Sequence, residues 1–219
     1  MRLYSALYNE FYPFDLFLPE WKKIVVNPED TLEGPGALII WGGSDIHPSF
    51  YLRDNVHTFV GNTPSLRDQA EAKLFVKAVE AGLVIFGVCR GAQLGCALSG
   101  GILIQHISGH LSDHMITTID NLSFPASSIH HQMMYPWEIQ HKLIAWTHYP
   151  KSDIYEGLTD QELEKIPTNL YGKNQLPIEP EIIWFPQTKC LGIQGHPEMM
   201  DENSYFNKYI KQLVYAYTQ

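Results

Sequence analysis

The sequence LVIFGVCRGAQ at residues 83–93 holds the strongest structural signal in the chain. Its first four residues form a continuous apolar run, which is typical of a parallel strand covered on both faces. The pattern Gly87-x-Cys89-x-Gly91 follows, and residues 92–98 then read as a helix. A strand, a tight turn and a helix in this order predict an exposed Cys89 thiol at a helix N-terminus. The unpaired amides at that end of the helix favour the thiolate.

Further apolar runs that end at turn residues predict the rest of the sheet. The expected strands are 2–7, 24–26, 37–41, 181–185 and 190–194. Amphipathic spacing predicts one helix that begins after Ser65 and ends near Gly82, and a terminal helix from Glu202 to Tyr217. Strands that alternate with helices predict an α/β fold with a mostly parallel central sheet covered by helices.

Length and composition favour one domain over residues 1–219, because 219 residues with 45% hydrophobic content can bury a full core. An irregular insertion is expected around 146–180. It reads as mostly loop from 146 to 178, with one short helix from Asp160 to Lys165, because prolines interrupt the periodicity.

Charge and cysteine content restrict the class of protein. The formal charge is -9 and no run of Lys or Arg could follow a phosphate backbone, so nucleic-acid binding is not expected. The longest apolar stretch is too short to cross a bilayer and the start lacks a basic leader, so no membrane partner is expected. Three cysteines, an odd number, suit a reducing compartment and predict a cytoplasmic protein.

A second motif, Gly195-His196-Pro197-Glu198, follows the last predicted strand. A thiolate nucleophile in acyl transfer needs a base to move its proton and a third group to orient that base. His196 and Glu198 supply these groups. Open α/β sheets place their sites at the carboxyl ends of strands, so Cys89 and His196 are predicted to meet there.

The predicted chemistry also needs backbone N–H groups that stabilise the negative charge on the substrate oxygen. The N–H of Arg90, directly after the nucleophile, is one candidate. The second is expected from the loop at 42–45, where Gly42 and Gly43 let the main chain approach a substrate closely. Taken alone, this loop also reads as an ordinary tight turn.

These motifs resemble those of class I glutamine amidotransferases. The matching segments are GVCRGAQ at 87–93, GHPE at 195–198, WGGSDIHPSFY at 41–51, SIHHQ at 128–132, and Arg67, Asp68 and Glu71. Within that superfamily the chain is most similar to the γ-glutamyl hydrolase branch, peptidase C26, which includes γ-glutamyl-γ-aminobutyrate hydrolases. It departs from that branch at Gly195, where an aromatic residue is common.

The resemblance implies a flavodoxin-like three-layer α/β/α sandwich and a catalytic triad of Cys89, His196 and Glu198 that cleaves a γ-glutamyl amide through a thioester. It also implies an oxyanion hole at Gly43 and Arg90. The residues expected to contact the small-molecule γ-glutamyl substrate are Gly42, Asp45, Gln93, His130, His131 and Gln132.

No cofactor or metal is expected. His106, His110 and His114 would share one face of a helix, but Ser108 and Gly109 interrupt that pattern and a thiol hydrolase needs no metal. Three functions remain open. They are a γ-glutamyl hydrolase, a glutaminase subunit that delivers ammonia to a separate synthetase, and a non-catalytic binding protein on the same fold. A second copy of the chain is a further partner left open.

Overall fold

The computed structural model describes residues 1–6, 18–171 and 174–219. The described strands, in chain order, are β1 (Arg2–Ala6), β2 (Lys22–Val26), β3 (Gly36–Ile40), β4 (Val84–Val88), β5 (Ile102–Ile104), β6 (His106–Ile107), β7 (His114–Thr118), β8 (Ser123–Ala126), β9 (Met133–Tyr135), β10 (Lys142–Thr147), β11 (Tyr155–Glu156), β12 (Thr168–Tyr171), β13 (Asn174–Pro177), β14 (Pro180–Phe185) and β15 (Cys190–Ile193). The described helices are α1 (Leu66–Glu80), α2 (Arg90–Leu98), α3 (Asp160–Lys165) and α4 (Tyr205–Thr218), with short 3-10 helices at Pro48–Tyr51 and Pro197–Met199.

The main sheet, as far as the described residues show it, has nine strands in the order β2-β1-β3-β4-β15-β14-β10-β7-β8. The five strands from β2 to β15 are parallel to one another. From β15 onward every neighbouring pair is antiparallel. The expected α/β fold is confirmed, and its parallel half is extended by an antiparallel half in which only β14 was predicted, as the strand 181–185.

Helices cover both faces of the sheet, which gives the three expected layers. Along β3, Ala37 and Ile39 pack into one core with α4, while Leu38 and Ile40 pack into the other with α1 and α2. Successive side chains of a strand point to opposite faces, so a strand between two cores must be apolar at every position. This explains the uninterrupted apolar runs of β3 and β4.

Helix α1 begins where its sequence signal predicts. The Ser65 hydroxyl accepts a hydrogen bond from the backbone N–H of Asp68 at 3.0 Å, and the Asp68 carboxylate accepts one from the N–H of Ser65 at 2.9 Å. This reciprocal capping satisfies two amides that a helix N-terminus leaves unpaired. It also fixes the Asp68 carboxylate beneath the turn at Cys89.

The segment predicted as mostly loop holds more structure than its sequence pattern suggested. Helix α3 spans Asp160–Lys165 as predicted, but β11 pairs with β6 and β12 forms a hairpin with β13. These strands are short and partly exposed, so they lack the apolar alternation that identifies a strand. Elsewhere the predicted strand 2–7 is seen as β1, and Leu7 lies outside the described residues.

No helix among the described residues combines the length and the apolar character needed to traverse a bilayer.

Candidate active site

Cys89 occupies a strained turn between β4 and α2. Its backbone has φ 50° and ψ -109°, a left-handed conformation that a non-glycine residue rarely adopts. The turn is tight because α2 starts against β3, where a Cβ added to Gly91 would lie 2.0 Å from the carbonyl oxygen of Ile40. The sequence therefore folds into the predicted elbow, with Cys89 at the N-terminus of α2. The expectation of an exposed thiol is wrong, since Cys89 is only 6% exposed and lines a cavity instead of the open surface.

His196 reaches the same sheet edge from the neighbouring strand. β15 runs parallel to β4 with Ile193 beside Val88, and the N–H of Cys89 donates to the Ile193 carbonyl at 2.7 Å. A Cβ built on Gly42 would lie 2.8 Å from Cε1 of His196 and 3.4 Å from Cβ of Cys89. The two side chains thus flank one point, although the residues are over a hundred positions apart in the chain.

Glu198 orients the imidazole of His196. Its Oε1 lies 2.7 Å from Nδ1 of His196, and both side chains are buried. Because a carboxylate oxygen accepts, Nδ1 carries a proton and Nε2 is left for another group. Nε2 of His196 is buried and has no hydrogen-bond partner of normal geometry among the described residues.

The electrostatics of the site favour a protonated His196. Burial alone lowers the pKa of His196, but Cys89 and Glu198 outweigh it and raise the pKa to about 10. Burial raises the pKa of the Cys96 thiol to about 12 and also raises that of Cys190. Those two thiols therefore stay protonated at neutral pH and are poor nucleophiles.

Ser127 anchors the backbone of His196, a contact that the sequence did not predict. The N–H of His196 donates to the Ser127 hydroxyl at 2.8 Å, and that hydroxyl donates to the His196 carbonyl at 2.6 Å. Both bonds are buried. The only available signal was the position of Ser127 directly before the SIHHQ motif at 128–132.

A cavity of about 340 Å³ opens beside these residues. It is lined by Gly43, Cys89, Ile129, His196, Glu198 and Met199. Ile129 and Met199 were not predicted as site residues, because isolated apolar residues in loops carry no functional signal. A larger cavity of about 730 Å³ lies at the amino ends of β3 and β4 and is lined by none of the predicted site residues.

Four charged residues, which we call the arginine network, connect the elbow to the glycine loop. They are Arg67, Asp68, Glu71 and Arg90. The Arg90 guanidinium forms ion pairs with Asp68 at 2.5 Å and with Glu71, and all three side chains are 1–2% exposed. On the far side of Glu71, Arg67 Nε donates to Oε1 of that carboxylate at 3.0 Å.

Arg67 also holds the loop predicted to supply one side of the oxyanion hole. Its Nη2 donates to the Gly42 carbonyl at 2.8 Å and to the Trp41 carbonyl at 3.1 Å. Gly43 has φ 149°, and a Cβ there would lie 2.1 Å from Arg67 Nη1, so the guanidinium requires a glycine at this position. One helix, α1, thereby fixes both Gly43 and Arg90.

None of the remaining predicted substrate residues lines this cavity. Gln93 Nε2 donates to the Gln132 carbonyl at 3.1 Å, and His131 Nε2 lies 3.0 Å from Oδ1 of Asp45. His130 is buried, and burial lowers its pKa to about 3. Their contact with a substrate stays a prediction.

Gly195 lies where the resemblance led us to expect an aromatic side chain. A Cβ on Gly195 would lie 2.8 Å from the Ser127 carbonyl oxygen and 3.1 Å from Cζ of Phe206. The Phe206 ring, from α4, fills this position. The Ser127 backbone and the Phe206 ring therefore leave no room for a side chain at residue 195.

Comparison with known proteins agrees with this geometry. The sequence profile of the peptidase C26 family matches residues 17–148, more than half of the chain. The chain belongs to the peptidase C26 family. This C26 chain is 25% identical over 227 residues to the glutamine amidotransferase-like protein YvdE of Lactococcus lactis subsp. lactis, covering 91% of the chain and 84% of that relative. It is 33% identical over 101 residues to the YvdE homolog of L. lactis subsp. cremoris, covering 43% of the chain and 53% of that relative.

Solved structures show the same fold. The C26 chain matches the structure of PurLQS from Thermotoga maritima with a TM-score of 0.63 and 13% identity, over 100% of this chain and 99% of that one. It matches a GMP synthase subunit from Thermoplasma acidophilum with a TM-score of 0.60 and 12% identity, over 100% and 94% of the two chains. At these identities the likeness establishes the class I glutamine amidotransferase fold alone.

Proposed function

We propose that this glutamine amidotransferase-like chain hydrolyses a γ-glutamyl amide, with Cys89 as nucleophile, His196 as acid and base, and Glu198 as the group that orients His196. The observation that supports this most is the position of His196, which flanks the same point as Cys89 and is hydrogen-bonded to Glu198 at 2.7 Å. Nucleophile, base and orienting group in this order are the minimum for acyl transfer by a thiol.

In the proposed reaction the Cys89 sulfur attacks the γ-carbonyl carbon, and the carbonyl oxygen takes up negative charge. The N–H groups of Gly43 and Arg90 would stabilise that oxyanion. His196 donates its proton to the leaving nitrogen, the C–N bond breaks, and a γ-glutamyl thioester remains. His196 then takes a proton from water, which attacks the thioester and releases glutamate and the thiolate.

The test is a panel of γ-glutamyl substrates that includes glutamine and several γ-glutamyl amines, with mass-spectrometric detection of the acyl-enzyme. We expect a γ-glutamyl adduct on Cys89 and release of an amine. Cys89→Ser should lower kcat/KM by at least about 1,000-fold while leaving the protein folded. Cys96→Ala is the matched control, because it removes a buried thiol of the same helix and should leave activity unchanged.

Labelling with a glutamine-like diazo-ketone gives a second test. A folded protein that forms no adduct at Cys89 and cleaves none of the panel would contradict the proposal, and would favour a binding protein on the same fold.

A second candidate function is that of a glutaminase subunit. It is favoured by the structural match, over the whole chain, to a subunit of a GMP synthase. Activity restricted to glutamine, slow until a synthetase is added, would favour this function. Release of a larger amine would favour the hydrolase. The three unpaired cysteines suit a cytoplasmic location for either.

A further inference from the structure

Two histidines and a glutamate converge behind the proposed active site. We call His110, His130 and Glu181 the histidine cluster. A donor atom from each of them lies within 4.8 Å of a donor atom from each of the others, and all three residues are buried. Each also carries a buried polar atom without a hydrogen-bond partner among the described residues, namely Nδ1 of His110, Nε2 of His130 and Oε2 of Glu181.

In each of these side chains the other polar atom makes a hydrogen bond, which shows which atom is left to face the cluster. Nδ1 of His130 faces the Gln132 carbonyl at 2.8 Å, and a carbonyl can only accept, so Nδ1 holds the proton and Nε2 a lone pair. Nε2 of His110 lies 3.0 Å from Oε2 of Glu179, so Nε2 holds a proton and Nδ1 is the ring nitrogen without a hydrogen-bond partner among the described residues. Oε1 of Glu181 lies 2.8 Å from Nε2 of His114 and accepts from the Thr147 hydroxyl at 3.0 Å, which favours the ionised carboxylate.

The cluster therefore brings together three residues of metal-ligand type, each with a buried atom that has no hydrogen-bond partner among the described residues. His110 Nδ1 and Glu181 Oε1 are 3.6 Å apart, which is too long for a hydrogen bond. One water molecule could donate to only two of the three atoms. A cation could satisfy all three at once, and a carboxylate or carbonyl bonded to the far side of a histidine is the usual partner of a metal-binding imidazole.

We propose that His110, His130 and Glu181 bind one divalent transition-metal ion of the zinc type. Two imidazoles and one carboxylate are a known ligand set for zinc. The site is buried, so the ion would have a structural role and take no part in the thiol chemistry. Glu179 would be the outer partner of His110.

Hydrogen bonds around the cluster show which parts of the chain a bound ion would connect. The His110 carbonyl accepts from the Ser128 hydroxyl at 2.7 Å and from the N–H of His130 at 3.1 Å. The Glu181 carbonyl accepts from the N–H of Gln194 at 2.8 Å. An ion here would join β14 to the loop that contains Ser127, and Ser127 anchors the backbone of His196.

The experiment uses the full chain carrying Cys89→Ser, so that no active-site thiolate can hold a metal. The protein is expressed with added zinc, desalted and analysed by inductively coupled plasma mass spectrometry. We expect about one zinc ion per chain. X-ray absorption of that sample should show imidazole nitrogen and carboxylate oxygen ligands without sulfur. This measurement does not depend on the folding of any variant of the histidine cluster.

Variants then locate the ion. Glu181→Gln should lose the metal, and Glu179→Gln should weaken its binding by about 10 to 100-fold. His148→Asn is the matched control, because His148 is exposed and outside the cluster, and it should retain the ion. A folded Cys89→Ser protein that holds no zinc after supplementation would overturn the proposal. So would zinc with sulfur ligands, or zinc held equally well by a folded Glu181→Gln variant.

Discussion

The two halves of the sheet bury charged groups in opposite ways. Under the parallel half, the arginine network places two guanidinium groups against two carboxylates, so the positive and negative charges balance. Under the antiparallel half, the histidine cluster brings together two imidazoles and a carboxylate, each with a buried atom that has no hydrogen-bond partner among the described residues. The histidine cluster is buried throughout, whereas the Arg67 side chain of the arginine network is 22% exposed.

This contrast shows that one chain can contain buried polar groups whose charges are paired and others that lack partners. Charge is tolerated inside a protein when partners surround it, and removing one partner leaves an uncompensated charge. The arginine network pairs its charges internally, although Nε of Arg90 has no hydrogen-bond partner among the described residues. In the histidine cluster we propose that a cation supplies the missing charge. His196 lies at the boundary between the two regions, on the loop after β15.

The largest effect is expected at that boundary, from Glu198→Gln. This change removes the group that orients His196 and should lower kcat/KM on a γ-glutamyl substrate by about 100 to 10,000-fold. Glu202→Gln, at an exposed nearby position, is the control and should leave kcat/KM unchanged.

The pH dependence of the same variant gives an independent readout. The pKa of His196 is raised to about 10, with Glu198 as one cause, so the imidazolium is present at neutral pH and is lost as the pH rises through about 10. The stability that it contributes is complete below the unfolded pKa of about 6.5 and disappears over the same rise. In Glu198→Gln the alkaline limit of activity should move to lower pH. An unchanged limit would contradict the assigned role.

Glu71→Gln tests how much the paired charges of the arginine network contribute to the stability of the protein. It leaves the buried Arg90 guanidinium with only Asp68 as an anionic partner, and should lower the free energy of unfolding by about 3 to 5 kcal/mol. Urea denaturation measures this change, and the exposed Glu80→Gln on the same helix is the control. A loss below about 0.5 kcal/mol, the range of ordinary surface substitutions, would show that the network is dispensable.

Gly91→Ala tests how closely α2 must pack on the sheet. The new Cβ would lie 2.0 Å from the Ile40 carbonyl oxygen, so α2 and Cys89 must move. We expect a loss of about 1 to 3 kcal/mol in unfolding free energy together with a fall in kcat. Gly61→Ala is the control, because its nearest contact would be 4.0 Å away. Normal stability and kcat in Gly91→Ala would mean that the elbow tolerates displacement.

The smallest effect is expected from Ser65→Ala. It removes the hydroxyl that caps α1 and should cost about 1 kcal/mol of stability, measured by thermal or urea unfolding. Activity should change little, since the ion pairs of Asp68 and Glu71 remain. A large loss of activity would show that the cap, rather than the ion pairs, holds Arg90 in place.

The parallel half of the fold could be predicted from the sequence because its strands are buried on both faces. β3 and β4 read as apolar runs, and the glycines after them identify the turns. In the antiparallel half only β14 was predicted, as the strand 181–185, and β7, β8 and β10 were missed. One reason is that polar residues occupy buried positions. In β7, His114 and Thr118 point inward, and the alternation rule reads both as facing solvent.

The candidate site also has parts that the sequence predicts and parts that it does not. The Cys89 and His196 motifs are local in sequence, so their residue types and spacing predict them. The contacts that hold them are not local. Arg67, Asp68 and Glu71 show helical spacing, but nothing in the sequence indicates that the two carboxylates share Arg90 as a partner. The same holds for Ser127, which lies 69 positions from His196.

The placement of Cys89 directly after β4 and of His196 shortly after β15 also determines when the two side chains can meet during synthesis. When residue 89 leaves the ribosome, the codon for His196 is still more than a hundred codons away. Contacts between residues so distant in sequence are slow to form, because a long loop must close first. For about half of its translation the nascent chain therefore carries the Cys89 thiol without the imidazole that we propose as its partner.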